Sequence, residues 1–217
     1  MKNFTAFTKN EKGIINVLRT QVDIIIDKKI NPYYCNKKEK YEAIWDTGAT
    51  NTVISEDLAK ELNLTPVGMT KVSTAGGVFE VNKYVLGLKL PNKLSIENVM
   101  VTAGKLGKNT DFLIGMDIIT LGDFSITNVN GKTTFSFRYP SCERINYVED
   151  AKRLQKKELE KQLKNAENEI KKCGKCSCGS GRLYRYCHGR DKIKIIKKEL
   201  EKIGVWMSSI ILLDFFI

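Results

Sequence analysis

The pattern of this sequence changes at about residue 144, and that change limits the folds it can form. Before it, short β-branched and aromatic runs alternate with turn signals such as Gly76-Gly77, Pro91-Asn92 and Asn130-Gly131. After it, residues 148–172 contain no Gly or Pro and are rich in Ala, Leu, Glu and Lys. The sequence therefore predicts a mainly β domain followed by a helical arm, which a chain of 217 residues can accommodate.

The first part predicts many short strands with very little helix. Strands are expected at 14–18, 22–26, 41–54 with a turn inside it, 71–81, 84–90, 94–102, 112–114 and 133–139. Two short helices are expected, Glu56–Leu62 with Ser55 as its N-cap, and Met116–Thr120. Such a set of short strands is typical of a small barrel-like β domain.

The predicted organisation has four segments. They are a β domain over 1–144, a helical arm over 145–172, a Gly- and Cys-rich segment over 173–190, and a helix with an apolar tail over 191–217. Leu154, Leu159, Leu163 and Ile170 form a narrow apolar stripe along the arm. A short coiled coil between two copies is one interpretation of this stripe, although the heptads are few.

The positive charge is concentrated in the C-terminal quarter of the chain. The formal net charge is +11; residues 1–147 carry 19 Lys/Arg against 15 Asp/Glu, whereas residues 148–202 carry 17 against 9. An electrostatic partner, either an acidic protein surface or RNA, is therefore expected to bind the C-terminal part. The alternative is a lysine-rich helix that is simply solvated.

No targeting signal is visible in the sequence. The start, MKNFTAFTKNEKG, lacks an apolar core of the signal-peptide type, and no apolar stretch reaches the roughly 18–20 residues that span a bilayer. The apolar end, 205–217, is shorter and is interrupted by Asp214. The expected location is the cytoplasm.

Asp46-Thr47-Gly48 follows the apolar run Ala43-Ile44-Trp45. Such a tripeptide occurs by chance in about one chain in ten of this length, and a turn in which Asp46 accepts backbone N–H bonds would also explain it. A second element lies about 65 residues further on, where Ile114-Gly115 joins an apolar strand to an apolar helix start. The presence of both elements favours a functional interpretation of Asp46-Thr47-Gly48 more strongly than the tripeptide alone does.

With these two elements, residues 14–139 resemble the retropepsin family of aspartic proteases. The segment LIGMDII is more similar to cellular and bacterial members than to viral ones, which usually have a different polar pair there. The resemblance implies a closed β-barrel-type acid protease domain that hydrolyses peptide or protein substrates. It implies that Asp46, Thr47 and Gly48 are catalytic, that Ala49 contacts substrate, and that Ile114 and Gly115 support the site.

Retropepsins use two carboxylates that share one proton, and this chain has a single Asp-Thr-Gly. The resemblance therefore implies a homodimer with an Asp46/Asp46′ dyad and no cofactor for catalysis. It also implies a β-hairpin flap over the substrate, for which 71–81 is the candidate. The expected contacts of its tip are Thr74, Ala75, Gly76 and Gly77, and an ordinary hairpin is the alternative.

Residue inventory excludes several other catalytic classes. The chain has one histidine, which lies in a cysteine cluster, so none remains for a Ser-His-Asp or Cys-His site. It contains no His-Glu-x-x-His helix and no Gly-Lys-[Ser/Thr] phosphate loop.

Four potential metal ligands, Cys176, Cys178, Cys187 and His188, lie within 13 residues. In a cytoplasmic protein such clustering favours metal ligation over disulfides. The segment resembles the SEC-C motif, named for the C-terminal zinc tail of the SecA translocation ATPase. That resemblance implies a closed, structural Zn²⁺ site and docking on partner proteins or ribosomes. Cys173 is a rival ligand, whereas Cys35 and Cys142 are expected to be ordinary thiols.

The favoured hypothesis is a homodimeric aspartic endopeptidase whose zinc arm recruits partners or substrates. A non-catalytic dimeric scaffold of the same fold, with recognition by the zinc arm, is the main alternative. A nucleic-acid-binding protein, based on the charge of the arm, is the third.

Overall fold

The computed structural model describes residues 4–36, 38–74, 76–172 and 174–213. The chain divides into two compact units, Met1–Glu143 and Arg144–Ile217. The strands of the first unit are β1 Thr5–Asn10, β2 Arg19–Ile25, β3 Tyr41–Trp45, β4 Val53–Ser55, β5 Gly68–Thr74, β6 Gly77–Lys89, β7 Ser95–Gly104, β8 Phe112–Ile114, β9 Asp123–Val129 and β10 Lys132–Tyr139. Its helices are α1 Glu56–Glu61 and α2 Met116–Ile119. The second unit contains α3 Tyr147–Lys172, a short 3₁₀ turn Tyr184–Tyr186 and α4 His188–Leu213.

Seven of the described strands form one sheet in the order β2-β3-β8-β4-β7-β6-β5. Strand β2 also pairs with β6, through Asp23↔Lys89 to Ile25↔Gly87. This second pairing closes β2, β3, β8, β4, β7 and β6 into a ring and leaves β5 outside it. The predicted mainly β, barrel-type domain with C-terminal helices is therefore confirmed.

A second sheet, β1-β10-β9, packs against the barrel through aromatic side chains. Trp45 at the end of β3 lies 5.2 Å from Phe135 and 5.1 Å from Phe137, measured between ring centroids. Phe7 and Phe124 complete the cluster. The indole N–H of Trp45 donates to Thr20 Oγ1 at 2.8 Å, so its polar atom is satisfied inside the core. Strand β3 is thereby fixed to both sheets.

The two short helices form where the sequence predicts them. The Ser55 hydroxyl accepts the N–H of Leu58 at 3.0 Å, and acidic residues occupy the first turn of α1. Leu58 and Ala59 are buried against the barrel. Helix α2 follows Gly115 and buries Ile118 and Ile119.

The strand prediction for residues 14–18 is wrong. This segment connects β1 and β2, and Ile14 and Val17 are 66% and 45% exposed. Isolated hydrogen bonds hold this segment in place instead; for example, the N–H of Ile15 donates to Thr133 Oγ1 at 3.1 Å. Strands β1 and β9 were not predicted, because both are rich in polar residues and largely exposed. The run predicted at 71–81 divides between β5 and β6, and β6 continues through the run predicted at 84–90, with an irregularity between Leu86 and Leu88.

In the second unit, α3 and α4 pack against each other. Ala166 and Ile196 are buried, and Lys192 forms an ion pair with Glu169 at 2.9 Å. Only part of the predicted apolar stripe is removed from solvent. Leu159, Leu163 and Ile170 are half-buried, whereas Leu154 is 63% exposed. Helix α4 begins earlier than predicted and continues to Leu213; residues 214–217 lie outside the described residues. No helix in the described part of the chain is long and apolar enough to cross a bilayer.

Candidate functional site

Asp46 stands where two parallel strands end together. Strand β3 pairs with β8 in parallel, with Trp45 opposite Ile114. The backbone N–H of Asp46 then donates to the carbonyl oxygen of Ile114 at 2.9 Å. Ile114 is fully buried and Asp46 is half-buried, so the carboxylate emerges from the core at a fixed point.

The chain turns sharply after Asp46. The N–H of Gly48 donates to Asp46 Oδ1 at 2.8 Å, and the N–H of Ala49 donates to the Asp46 carbonyl at 3.2 Å. Thr47 and Gly48 are exposed, and Ala49 is half-buried. The bond from Gly48 is the one that an ordinary turn would also contain. The surroundings differ from a hairpin, because the strand leading into this turn pairs in parallel with β8.

The loop that follows β8 crosses behind the Asp46 loop and is hydrogen-bonded to it. The N–H of Met116 donates to the Ala49 carbonyl at 2.8 Å, and that of Asp117 to the Thr50 carbonyl at 3.2 Å. A Cβ atom added to Gly115 would lie 2.5 Å from the carbonyl carbon of Asn51 and 2.6 Å from its oxygen. Only glycine allows the two backbones to approach this closely. Ile114 and Gly115 thus lie directly against the Asp46 loop.

Two polar residues at this crossing were missed by the sequence analysis. The hydroxyl of Thr52 donates to Asp117 Oδ1 at 2.8 Å, and the N–H of Thr52 donates to Asp117 Oδ2 at 3.0 Å. Thr52 is completely buried. The available signal was an aspartate inside the apolar segment that follows Gly115, because a carboxylate flanked by buried residues needs partners.

The candidate flap is a regular hairpin of β5 and β6. Val72 pairs with Phe79 and Thr74 with Gly77, which has a φ of +120°. The Thr74 hydroxyl accepts the N–H of Gly76 at 3.2 Å. Thr74, Gly76 and Gly77 are exposed, and Ala75 lies outside the described residues. The hairpin exposes apolar side chains, with Phe79 52% accessible, and no hydrogen bond between its described residues and the Asp46 loop occurs.

The predicted metal ligands come together in the second unit. One ligand atom from each of Cys176, Cys178, Cys187 and His188 lies within 4.8 Å of all the others. Three of the separations are 3.3 Å for Cys176 Sγ to His188 Nδ1, 3.6 Å between Sγ of Cys178 and Cys187, and 3.4 Å for Cys187 Sγ to His188 Nδ1. Tetrahedral Zn²⁺ with bonds of about 2.0–2.3 Å places its ligand atoms roughly 3.3–3.8 Å apart. The cluster therefore fits such an ion.

The thiolate character of Cys178 agrees with this fit. Hydrogen bonds from the side chain and the backbone of Ser180 lower the pKa of Cys178 to about 6. Cys178 is then mostly a thiolate at neutral pH, which is the form that binds zinc. Cys173 lies outside the described residues, and Cys35 and Cys142 are exposed thiols of the first unit.

The surface around the cluster is basic. Residues 171–190 include six Lys/Arg and no Asp/Glu. The guanidinium carbon of Arg185 lies 4.9 Å from the ring centroid of Tyr186, which is 59% exposed. This places a cation on an aromatic face at the surface.

The comparison with protein families agrees with the geometry of the Asp46 site. Residues 32–118 match the model of a family described as aspartyl protease. The matched stretch includes both crossing loops, from before β3 to within α2. This match supports an aspartic-protease-type domain in that part of the chain. A comparison with curated proteins gives no match.

Solved structures similar to this chain include three retropepsin-type proteins. A retropepsin-like aspartic protease from Rickettsia conorii is 12% identical, with a TM-score of 0.41 over 64% of this chain and 98% of that one. The protease of simian foamy virus (mac) is 20% identical, with a TM-score of 0.33 over 47% and 91%. The retroviral protease-like domain of Ddi1 from Leishmania major is 15% identical, with a TM-score of 0.31 over 56% and 92%. Similarity at this level does not carry a function over.

The crossing of the two loops can be tested by adding one methyl group. Gly115→Ala places a Cβ atom against the backbone of Asn51, and the backbone cannot yield as a flexible side chain can. We expect a loss of about 3 kcal/mol or more in the free energy of unfolding, or failure to fold. Gly107→Ala is the matched control, since nothing lies within 4 Å of its added Cβ. Equal stability of the two variants in urea denaturation would contradict the close approach.

Proposed function

We propose that this protein is an aspartic endopeptidase of the retropepsin type, in which Asp46 from each of two copies forms the catalytic dyad. The observation that carries the proposal is the position of Asp46, fixed to Ile114 where β3 and β8 end, inside the stretch that matches the aspartyl protease family. The sequence supplies a single Asp-Thr-Gly. A second carboxylate therefore has to come from a second copy across a two-fold axis.

The chemistry of such a dyad follows from electrostatics. Two carboxylates about 3 Å apart cannot both be ionised, so the pair shares one proton and titrates as a unit. The ionised member activates a water molecule, and the protonated member polarises the carbonyl of the peptide bond. In this proposal Thr47 contributes to the contact between the copies, Gly48 and Ala49 approach the substrate backbone, and the flap hairpin closes over the substrate with Thr74 and its neighbours Ala75, Gly76 and Gly77.

The alternative is a dimeric scaffold without activity. Two features disfavour it: an intact Asp-Thr-Gly and a backbone crossing that fixes the position of the carboxylate. A scaffold gains nothing from two carboxylates that face each other, since like charges at close range are destabilising.

The proposal predicts that cleavage requires Asp46. Purified wild type, Asp46→Asn and Asp57→Asn are incubated with an unbiased peptide library from acidic to neutral pH, and the dimer fraction is measured alongside. Asp57 is the matched control, because it is an exposed carboxylate in α1. We expect wild type and Asp57→Asn to cut, and Asp46→Asn to lose at least about a thousandfold in rate because the dyad loses its shared proton. A folded wild-type dimer that cuts nothing at any pH would favour the scaffold.

We further propose that Cys176, Cys178, Cys187 and His188 bind a structural Zn²⁺. The separations of their ligand atoms and the thiolate character of Cys178 support this assignment. Four protein ligands leave no open position, so the ion would stabilise the fold of the segment and would not catalyse. Metal binding also explains how a segment with few buried side chains is held in one conformation.

The zinc assignment predicts one ion per chain that depends on the cluster. Elemental analysis of the purified protein is expected to find Zn²⁺ in wild type and in Cys142→Ser, and to find little in Cys178→Ser. Cys142 is the matched control, since it is an exposed thiol outside the cluster. Removal of the ion should disorder residues 174–190 and leave the β domain folded. Full zinc occupancy in Cys178→Ser would contradict the ligand set.

A second candidate function belongs to the basic surface around the cluster, which we propose binds single-stranded RNA. Arg182, Arg185 and Arg190 are exposed, and Arg185 stacks on the exposed ring of Tyr186. Positive charge that follows a phosphate backbone, combined with an aromatic face for a base, is the usual arrangement for single strands. An acidic protein would use the charge but would gain less from the ring.

RNA binding is tested by fluorescence anisotropy of the zinc-loaded full chain with a labelled single-stranded RNA at increasing salt. Arg182→Ala/Arg185→Ala should weaken binding and reduce the slope of log K against log salt by about 1.4, because two phosphate contacts are lost. Lys28→Ala/Lys29→Ala removes the same charge from exposed positions of the β domain and should change neither the affinity for RNA nor the slope of log K against log salt. No binding by wild type at low salt would exclude RNA and favour an acidic protein.

A further inference from the structure

The loop that carries Asp46 is attached to the core at both ends, and between the ends the N–H groups of Met116 and Asp117 donate to its Ala49 and Thr50 carbonyls. At its start, the N–H of Asp46 is bonded to Ile114. At its end, Thr52 is completely buried and bonded to Asp117. Between these ends, residues 47, 48, 50 and 51 are exposed. The position of the loop therefore depends on its attachments and not on packing of its own side chains.

The attachment at Thr52 is a network in which both oxygens of Asp117 and the hydroxyl of Thr52 accept hydrogen bonds. Asp117 Oδ1 accepts from the Thr52 hydroxyl at 2.8 Å and from the N–H of Ile118 at 3.0 Å, while Oδ2 accepts the N–H of Thr52 at 3.0 Å. The Thr52 hydroxyl in turn accepts the N–H of Gly115 at 3.2 Å. One carboxylate and one hydroxyl thus satisfy three backbone N–H groups from both crossing loops.

We propose that Thr52 and Asp117 are positioning residues that set the location and orientation of the Asp46 carboxylate. They act through the backbone of the two loops and do not touch the substrate. The inference rests on the proposed protease function for its kinetic consequences. The placement of Asp46 is also measurable in the absence of any activity.

Substitutions that keep the size of the side chain remove the network in defined ways. In Asp117→Asn one oxygen becomes an NH₂ group, which cannot accept. In one orientation of the amide the N–H of Thr52 loses its acceptor. In the other orientation the Thr52 hydroxyl loses its acceptor, and the N–H of Ile118 keeps only its bond of 3.1 Å to the Gly115 carbonyl. Thr52→Val leaves both the N–H of Gly115 and one acceptor site of Asp117 unpaired. Thr52→Ser keeps the hydroxyl and is the conservative rescue.

Displacement of the Asp46 loop is expected to change the pH profile of kcat/KM, which a loss of stability alone does not do. The separation of the two pKa values of a carboxylate pair depends on their distance. If the loop moves, the coupling weakens, the lower pKa rises and the upper pKa falls, so the bell-shaped pH profile of kcat/KM becomes narrower. A displacement of about 1 Å is expected to lower kcat roughly a hundredfold with little change in KM.

Asp111→Asn is the matched control. Asp111 lies at the opposite end of β8, and its Oδ2 accepts the N–H of Glu42 at 2.9 Å. The same Asp-to-Asn change at this position removes the carboxylate charge and its ion pair with Lys38 at 3.4 Å, beside the same pair of strands, β3 and β8, but away from Asp46. It should lower stability without narrowing the pH profile.

The experiment measures the pH profile of kcat/KM and the carboxyl ¹³C NMR titration of Asp46 in the full-length dimer. Asp117→Asn and Thr52→Val should narrow the profile and move the Asp46 titration midpoints, whereas Thr52→Ser and Asp111→Asn should match wild type. If Thr52→Val does not fold, Asp117→Asn and Thr52→Ser decide the question. An active wild type with an unchanged profile and titration in Asp117→Asn overturns this inference and leaves the protease function standing. An inactive wild type overturns the protease function, and the NMR titration then decides the positioning role by itself.

Discussion

The parallel pairing of β3 with β8 is the constraint on which the rest of the β domain depends. It brings the ends of two strands that are distant in sequence to one place, and the loops that follow cross in contact. Crossing backbones leave no room for a side chain at Gly115 and require polar partners in the interior, which Thr52 and Asp117 supply. The half-buried carboxylate of Asp46 thus stands at the surface end of a buried arrangement.

The two units are stabilised by different means. The β domain has a continuous core in which residues such as Tyr41, Phe112 and Leu88 are almost completely buried. Among the residues of the second unit whose burial the structure describes, few are buried, and Ala166 and Ile196 are two of them. Because little apolar area is then available to offset chain entropy, a metal ion bound at the cysteine cluster would be an effective additional source of stability.

Local signals in the sequence were sufficient for part of this structure. The Ser55 cap predicted α1, and the Asp-Thr-Gly and Ile114-Gly115 elements predicted which segments meet at Asp46. Strands β1 and β9 were not predictable in the same way, because their polar sequences gain their structure from pairing with β10. The bond between Thr52 and Asp117 joins residues 65 positions apart, and no local pattern of the sequence encodes it. The roles of the individual site residues remain predictions.

The position of Trp45 makes it an optical reporter of the region around Asp46. Its ring is 5% exposed, packs among four phenylalanine rings and directly precedes Asp46 in sequence. The emission wavelength of an indole depends on the polarity and the water around it. The chain has one other tryptophan, Trp206, so replacing that residue by phenylalanine would leave a single fluorophore. Its spectrum would then follow the packing of the two sheets beneath the Asp46 loop without any added label.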